Sequence, residues 1–170
     1  MFLHNETIML CGGKNNQQTC LKLEEDTWTD YNSFKEERFY ASVVSTTTAT
    51  FIFGGWSSID TFEYLEKKAS DWILETAKIP GGFTEGCSIA ISYDEIWLIG
   101  GYYDDQMILS FNVNNQNFAE LPTKLKQGRG GHQCAFIPGT RHLMITGGRI
   151  GNYGSDNTEI IDVTSHTSVD

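Results

Sequence analysis

Short apolar runs bounded by glycine, asparagine, aspartate and serine recur along the whole chain, and four of them end in a pair of glycines. These are Ile8-Met9-Leu10-Cys11-Gly12-Gly13, Phe51-Ile52-Phe53-Gly54-Gly55, Ile96-Trp97-Leu98-Ile99-Gly100-Gly101 and Leu143-Met144-Ile145-Thr146-Gly147-Gly148. The second glycines are separated by 42, 46 and 47 residues, and an aromatic follows them by 15, 17 and 17 residues, as Trp28, Trp72 and Phe118. Between glycines and aromatic lies another apolar segment: Cys20-Leu21-Lys22-Leu23, Glu63-Tyr64-Leu65, Ser110-Phe111-Asn112-Val113 and Glu159-Ile160-Ile161-Asp162-Val163. A run of small and apolar residues then leads into the next pair, as in Ala41-Ser42-Val43-Val44, Cys87-Ser88-Ile89-Ala90-Ile91 and Gln133-Cys134-Ala135-Phe136-Ile137. The runs are rich in Ile, Val, Phe, Tyr and Thr and too short for helices, so they predict strands; no segment offers an amphipathic helix of useful length.

Four antiparallel strands recurring every ~45 residues fit the blade of a β-propeller. The glycines allow backbone conformations closed to other residues, and Trp28, Trp72 and Phe118 would supply bulk for packing between neighbouring blades. The glycine pair after an apolar strand, the aromatic that follows it, and the lead Arg129-Gly130-Gly131-His132 together resemble the Kelch repeat. The resemblance spans practically the whole chain, with departures at Glu85-Gly86-Cys87, at Arg38-Phe39-Tyr40-Ala41 and at Phe118 in place of Trp. The expectation is an all-β Kelch-type propeller segment over residues 1–170, with repeats around 7–40, 41–85, 86–131 and 132–170. Counting from strand two of the first blade to strand three of the fourth gives about 14 strands, an open arc of a fragment. Its terminal apolar faces would be covered by the remaining blades or by a second copy.

Composition agrees with a folded globular chain: 20% of the 170 residues are charged and 39% apolar. Twelve basic against 22 acidic residues give a net charge of −10, split as −6 over residues 1–85 and −4 over 86–170, a field that repels phosphate backbones and argues against nucleic acid as a partner. No apolar run is long enough to insert in a membrane. Residues 1–10 carry His4, Asn5 and Glu6 where an export signal would need an apolar core.

Cys11 ends one strand and Cys20 begins the next, so a disulfide between them is a candidate; it would imply an oxidising compartment. Cys87 and Cys134 are expected as buried free thiols. No metal or other cofactor is expected, because Cys11 and Cys20 lack a second Cys or His pair at zinc spacing. His132 is expected to be hydrogen-bonded to backbone. Gly147-Gly148-Arg149-Ile150-Gly151-Asn152-Tyr153-Gly154 lacks the Lys-Ser/Thr ending of a phosphate loop and is read as a long strand connection. Asp104-Asp105 and Glu24-Glu25-Asp26 are read as solvated turns. Asn5-Glu6-Thr7 is a glycosylation sequon, relevant only to an exported chain.

Measured from the second glycine to Cys20, Glu63, Ser110 and Ile160, the connections between strands two and three are 7, 8, 9 and 12 residues long, which marks them as the variable loops. They and the connections leading into the next blade carry the candidate partner-binding residues Trp56, Tyr102, Tyr103, Asp104, Asp105, Arg129, Arg149 and Tyr153. The expectation is a non-catalytic module that binds another protein, with an extracellular setting favoured by Cys11 and Cys20. The Kelch resemblance implies two alternatives: an intracellular propeller that selects substrates or binds actin, and a fragment of a galactose-oxidase-like enzyme whose catalytic residues lie outside this chain.

Overall fold

The computed structural model describes residues 1–15, 18–102 and 106–169; among them there are eighteen strands and no helix. The chain divides into two compact units, Met1–Thr84 and Glu85–Asp170, and each holds two four-stranded antiparallel sheets.

In the first unit, β1 (Phe2–His4), β2 (Thr7–Cys11), β3 (Cys20–Glu24) and β4 (Thr27–Tyr31) pair in chain order. So do β5 (Ser42–Ser45), β6 (Ala49–Phe53), β7 (Phe62–Glu66) and β8 (Ile73–Leu74). The first sheet turns on two-residue links, Asn5-Glu6 and Glu25-Asp26, with φ of 48° and 63° and of 45° and 63°. Left-handed residues at both positions give the hairpin turn whose twist matches the strands. Between the two sheets Cys20, Phe34, Ile52, Leu65 and Trp72 form a buried cluster. The Trp72 ring meets Phe34 edge-on at 4.7 Å and Phe2 at 6.2 Å, while its indole N–H is buried without a partner.

In the second unit, β9 (Cys87–Ala90), β10 (Glu95–Ile99), β11 (Ile108–Asn112) and β12 (Phe118–Glu120) form one sheet. A second is built from β13 (Gln133–Phe136), β14 (His142–Thr146), β17 (Thr158–Asp162) and β18 (Thr167–Val169). A small ribbon, β15 (Arg149–Ile150) with β16 (Tyr153–Gly154), lies inside the last long connection. Trp97, Ile99, Ile108, Leu125, Leu143, Ile145 and Ile161 pack between these sheets.

Two sequence expectations are corrected here. Among the described residues the expected 14 strands are 18, because β1 precedes the first apolar run, β18 follows the last, and β15–β16 add a ribbon; each of the four main sheets has four strands. Cys87 and Cys134 are not free thiols but a disulfide, joining the first strands of the two sheets of the second unit with Cα atoms 6.1 Å apart. Each lies 13 residues before the first glycine of its repeat, but Cys87 pairs with Ile99 and Cys134 with Ile145, one register apart, so their side chains leave opposite faces of their strands and meet between the stacked sheets. Cys11 and Cys20 are also bonded, directly opposite each other in the β2–β3 ladder.

The first sheet has two unlike faces. Pairing in the ladder puts Leu3, Ile8, Leu10, Leu21, Leu23 and Trp28 on one face, and Phe2, Met9, Cys11 and Cys20 on the other, which packs on the second sheet. Leu3, Leu10 and Trp28 remain 59%, 42% and 41% exposed.

Candidate functional site

The four long connections are built alike. The N–H of each first glycine donates to the carbonyl just before the following strand: Gly12 to Thr19, Gly54 to Thr61, Gly100 to Met107 and Gly147 to Asn157. The second glycine is clasped by the segment leading into the next sheet, with Gly13, Gly55 and Gly101 donating to the carbonyls of Arg38, Phe83 and Arg129 at 3.0–3.1 Å. This close approach explains the residue type: a Cβ on Gly54 would lie 1.7 Å from the Phe83 carbonyl oxygen, and φ there is +62°. Only glycine fits.

The same pattern corrects the loop lengths. In the ladder Cys11, Phe53, Ile99 and Thr146 face Cys20, Phe62, Ile108 and Thr158, not Glu63, Ser110 and Ile160. The first three connections, 12–19, 54–61 and 100–107, are therefore equal at eight residues, and only the fourth, 147–157, is longer at eleven. The extra residues form the β15–β16 ribbon.

This ribbon organises the exposed chemistry of the second unit. Arg149 is held by two backbone hydrogen bonds with Gly130, its N–H donating at 2.9 Å and its carbonyl accepting at 3.1 Å. Its guanidinium pairs with Glu85 and lies over the Tyr102 ring, 5.2 Å from the centroid, a cation–π geometry. Tyr102 is 50% exposed and Tyr153, on the ribbon, 81%. The structure thus brings Tyr102 and Arg149 into contact, with Tyr153 projecting from the same loop as Arg149. Tyr103, Asp104 and Asp105 lie outside the described residues. Trp56 belongs to the first unit, where it is half-buried and its backbone N–H donates to Phe39 at 2.9 Å.

Arg129 does not belong to this surface. It is fully buried: it donates to Glu159 at 2.8 Å and to the carbonyls of Asn157 and Gly147 at 2.7 and 3.3 Å. Arg38 has the same role in the first unit, with Nε on Glu63 at 3.0 Å, Nη1 on the Gly54 and Thr61 carbonyls, and Nη2 on the Thr61 hydroxyl and the Glu36 carboxylate. The carboxylates match too: Glu63 accepts the N–H groups of Lys35 and Glu36, and Glu159 those of Lys126 and Gln127, at 2.7 and 3.0 Å in each case. Burial lowers the Arg38 pKa, and the Glu63 charge opposes that shift. Sequence reasoning missed both carboxylates. The available signal was Lys-x-x-Arg at 35–38 and 126–129, with a glutamate inside an otherwise apolar strand of the same repeat.

His132, next to this pair in the second unit, is 2% exposed; its ring faces the backbone of Arg129 and Ile99, the kind of partner expected, although neither contact has full hydrogen-bond geometry. Burial, and then the Arg129 charge, lower its pKa to about 4, so the ring is neutral at ordinary pH. The repeat aromatics differ in setting. Trp72 is buried, Phe118 packs on Phe111 at 4.8 Å, and Trp28 stands on the exposed face of the first sheet. Against the expectation that all three pack between sheets, Trp28 is 41% exposed. Beside that face, a groove of about 540 Å³ is lined by Met1, Phe2, Leu3, Ile8, Val43, Val44 and Ser45.

Among the described residues, no group of three His, Cys, Asp or Glu side chains could hold a metal ion. What the loop ends present is aromatic surface, hydrogen-bonding groups and one guanidinium already balanced by a carboxylate, chemistry suited to contact with another molecule. A scan against protein-family models finds no match for the chain. A search of curated proteins finds no significant match.

Proposed function

We propose that this chain is a segment of a Kelch-type β-propeller that binds another protein and catalyses no reaction, and that recognition runs through the sheet ends that carry the glycine-pair loops. The observation that carries this reading is the contrast between the two ends of each sheet. One end carries links of two to six residues, two in both hairpins of the first sheet; the other carries connections of eight to eleven residues clamped by repeated backbone hydrogen bonds. Loops held rigidly at their bases present side chains with little entropy left to lose on binding. Tyr102, Arg149 and Tyr153 supply the aromatic and guanidinium groups that dominate protein interfaces. The two disulfides favour an extracellular setting over the cytosolic, actin-binding or substrate-selecting alternative.

The same reading gives the open face of the first sheet an occupant: another sheet of the repeat, from further blades or from a second copy of the chain. Leu10, Ile52 and Ile145 hold the same repeat position, two residues before the first glycine. Ile52 and Ile145 are 5% and 0% exposed, whereas Leu10 is 42% exposed. A photo-crosslinking residue at position 153, compared with one at position 25 on a turn, tests which end binds. Partner adducts concentrated at position 153 support the proposal; equal adducts, or adducts concentrated at position 25, overturn it.

A further inference from the structure

Asn5-Glu6-Thr7 is the sole Asn-x-Ser/Thr sequence in the chain. The structure puts it at the tip of the β1–β2 hairpin, with Asn5 and Glu6 both exposed and left-handed and Thr7 opening β2. Asparagine tolerates that backbone conformation better than other residues with a side chain, and β-branched threonine suits the first position of a strand, so the sequon is held in an exposed and well-defined turn. A second and independent observation comes from the cysteines: all four are cross-linked and none is free. Stable cross-links of this kind form in the oxidising lumen of the secretory pathway, the compartment in which sequons meet their glycosyl donor.

We infer that Asn5 is an N-linked glycosylation site, modified by an oligosaccharide from a lipid pyrophosphate donor. In the transfer, the bond between the sugar C1 and the lipid pyrophosphate oxygen breaks. A bond from C1 to Asn5 Nδ2 forms, Nδ2 gives up one proton, and the lipid pyrophosphate leaves. Nothing is oxidised or reduced.

The folded hairpin accommodates the product. Nδ2 starts with two hydrogens and donates to the Lys67 carbonyl, with His4 Nε2 at 3.2 Å as its other neighbour. Transfer consumes one hydrogen, and the other keeps the Lys67 bond. Because Asn5 is exposed at a turn, the sugar extends into solvent from the end of the first sheet opposite the Gly12–Thr19 loop. The inference does not depend on the binding proposal, but it has a consequence for it: a glycan here covers the turn end of the first sheet and leaves the loop end clear.

The test is expression of the full chain behind a secretory leader in eukaryotic cells, with translation into microsomes as a second readout that does not require secretion. Treatment with peptide N-glycosidase should shift the wild-type band and convert Asn5 to Asp in the peptide mass spectrum. Asn5→Gln and Thr7→Val should abolish both signals, and Thr7→Ser should retain them, which separates sequon recognition from hairpin stability. An unmodified Asn5 in both systems, on chains in which the disulfides have formed, would overturn the inference. So would a glycan that survives Thr7→Val.

Discussion

Removing the Glu63 carboxylate is the sharpest perturbation of the first unit. Its side chain is 0% exposed and accepts three hydrogen bonds, from Arg38 Nε at 3.0 Å and from the N–H groups of Lys35 and Glu36 at 2.7 and 3.0 Å. Glu63→Ala leaves the buried Arg38 guanidinium only the part-exposed Glu36 carboxylate, 3.4 Å from Nη2, as counter-charge, and breaking the buried pair costs up to about 3–5 kcal/mol. The two amides add less than their full penalty, because they are only part-buried and water can reach them. Replacing both members, Arg38→Met with Glu63→Leu, removes the stranded charge and should recover most of the loss. Glu159→Ala in the second unit is an internal comparison: its side chain is 8% exposed against 0% for Glu63, but Arg38 keeps Glu36 beside it, so the two losses should be similar. Urea unfolding followed by circular dichroism measures all four proteins. A loss below about 1 kcal/mol for Glu63→Ala, or a double replacement worse than the single one, would refute the account of the pair.

Other perturbations follow from the same structure. The Cys87–Cys134 disulfide closes 47 residues and Cys11–Cys20 closes 9, so loop-closure entropy assigns about 4 and about 2.6 kcal/mol to them; paired Cys→Ala variants in denaturant should show that order. Because the folded pKa of His132 is lowered from 6.5 to about 4, its contribution is intact above pH 6.5. It is lost as pH falls toward 4, when the unfolded chain takes up a proton that the folded one refuses. The full swing is about 3 kcal/mol, and His132→Leu should flatten the stability profile in that window; an unchanged slope would sink the argument. Trp28→Glu places a charge on the exposed face of the first sheet and should reduce both dye binding and any concentration-dependent association, read by light scattering, without loss of thermal stability.

The repeat was legible because its glycines are mechanical. All eight glycines of the pairs have positive φ, and at Gly54 and Gly148 a neighbouring backbone also leaves no room for a side chain, so four sheets could be counted from the spacing of the pairs. The ends of the chain were less legible. β1 has three residues, too few to display alternation, and β18 is Thr167-Ser168-Val169 without the aromatic that marked the other last strands. The register of β7, β11 and β17 slipped because Glu63, Ser110 and Ile160 were matched to Cys20 by local sequence, whereas pairing is decided by strand partners. Arg129 looked like a surface charge for a similar reason. Its burial depends on Glu159, thirty residues later, and only comparison with Arg38 and Glu63 in the other repeat, not any local pattern, reveals that counter-charge. Spacing alone does not pair Cys87 with Cys134: equal positions in stacked sheets point the same way, and the two meet because the β13–β14 ladder is shifted by one residue relative to β9–β10.

The most direct test of the proposed function is the affinity of the crosslinked partner for the wild-type protein and for a Tyr102→Ala, Tyr153→Ala variant, measured by calorimetry alongside thermal unfolding. The account predicts weakening by more than about 1 kcal/mol per ring with an unchanged melting temperature, because both rings stand at the loop ends, half or more exposed, and neither belongs to the core. Equal affinity of the two proteins would contradict it and move the binding surface away from the glycine-pair loops.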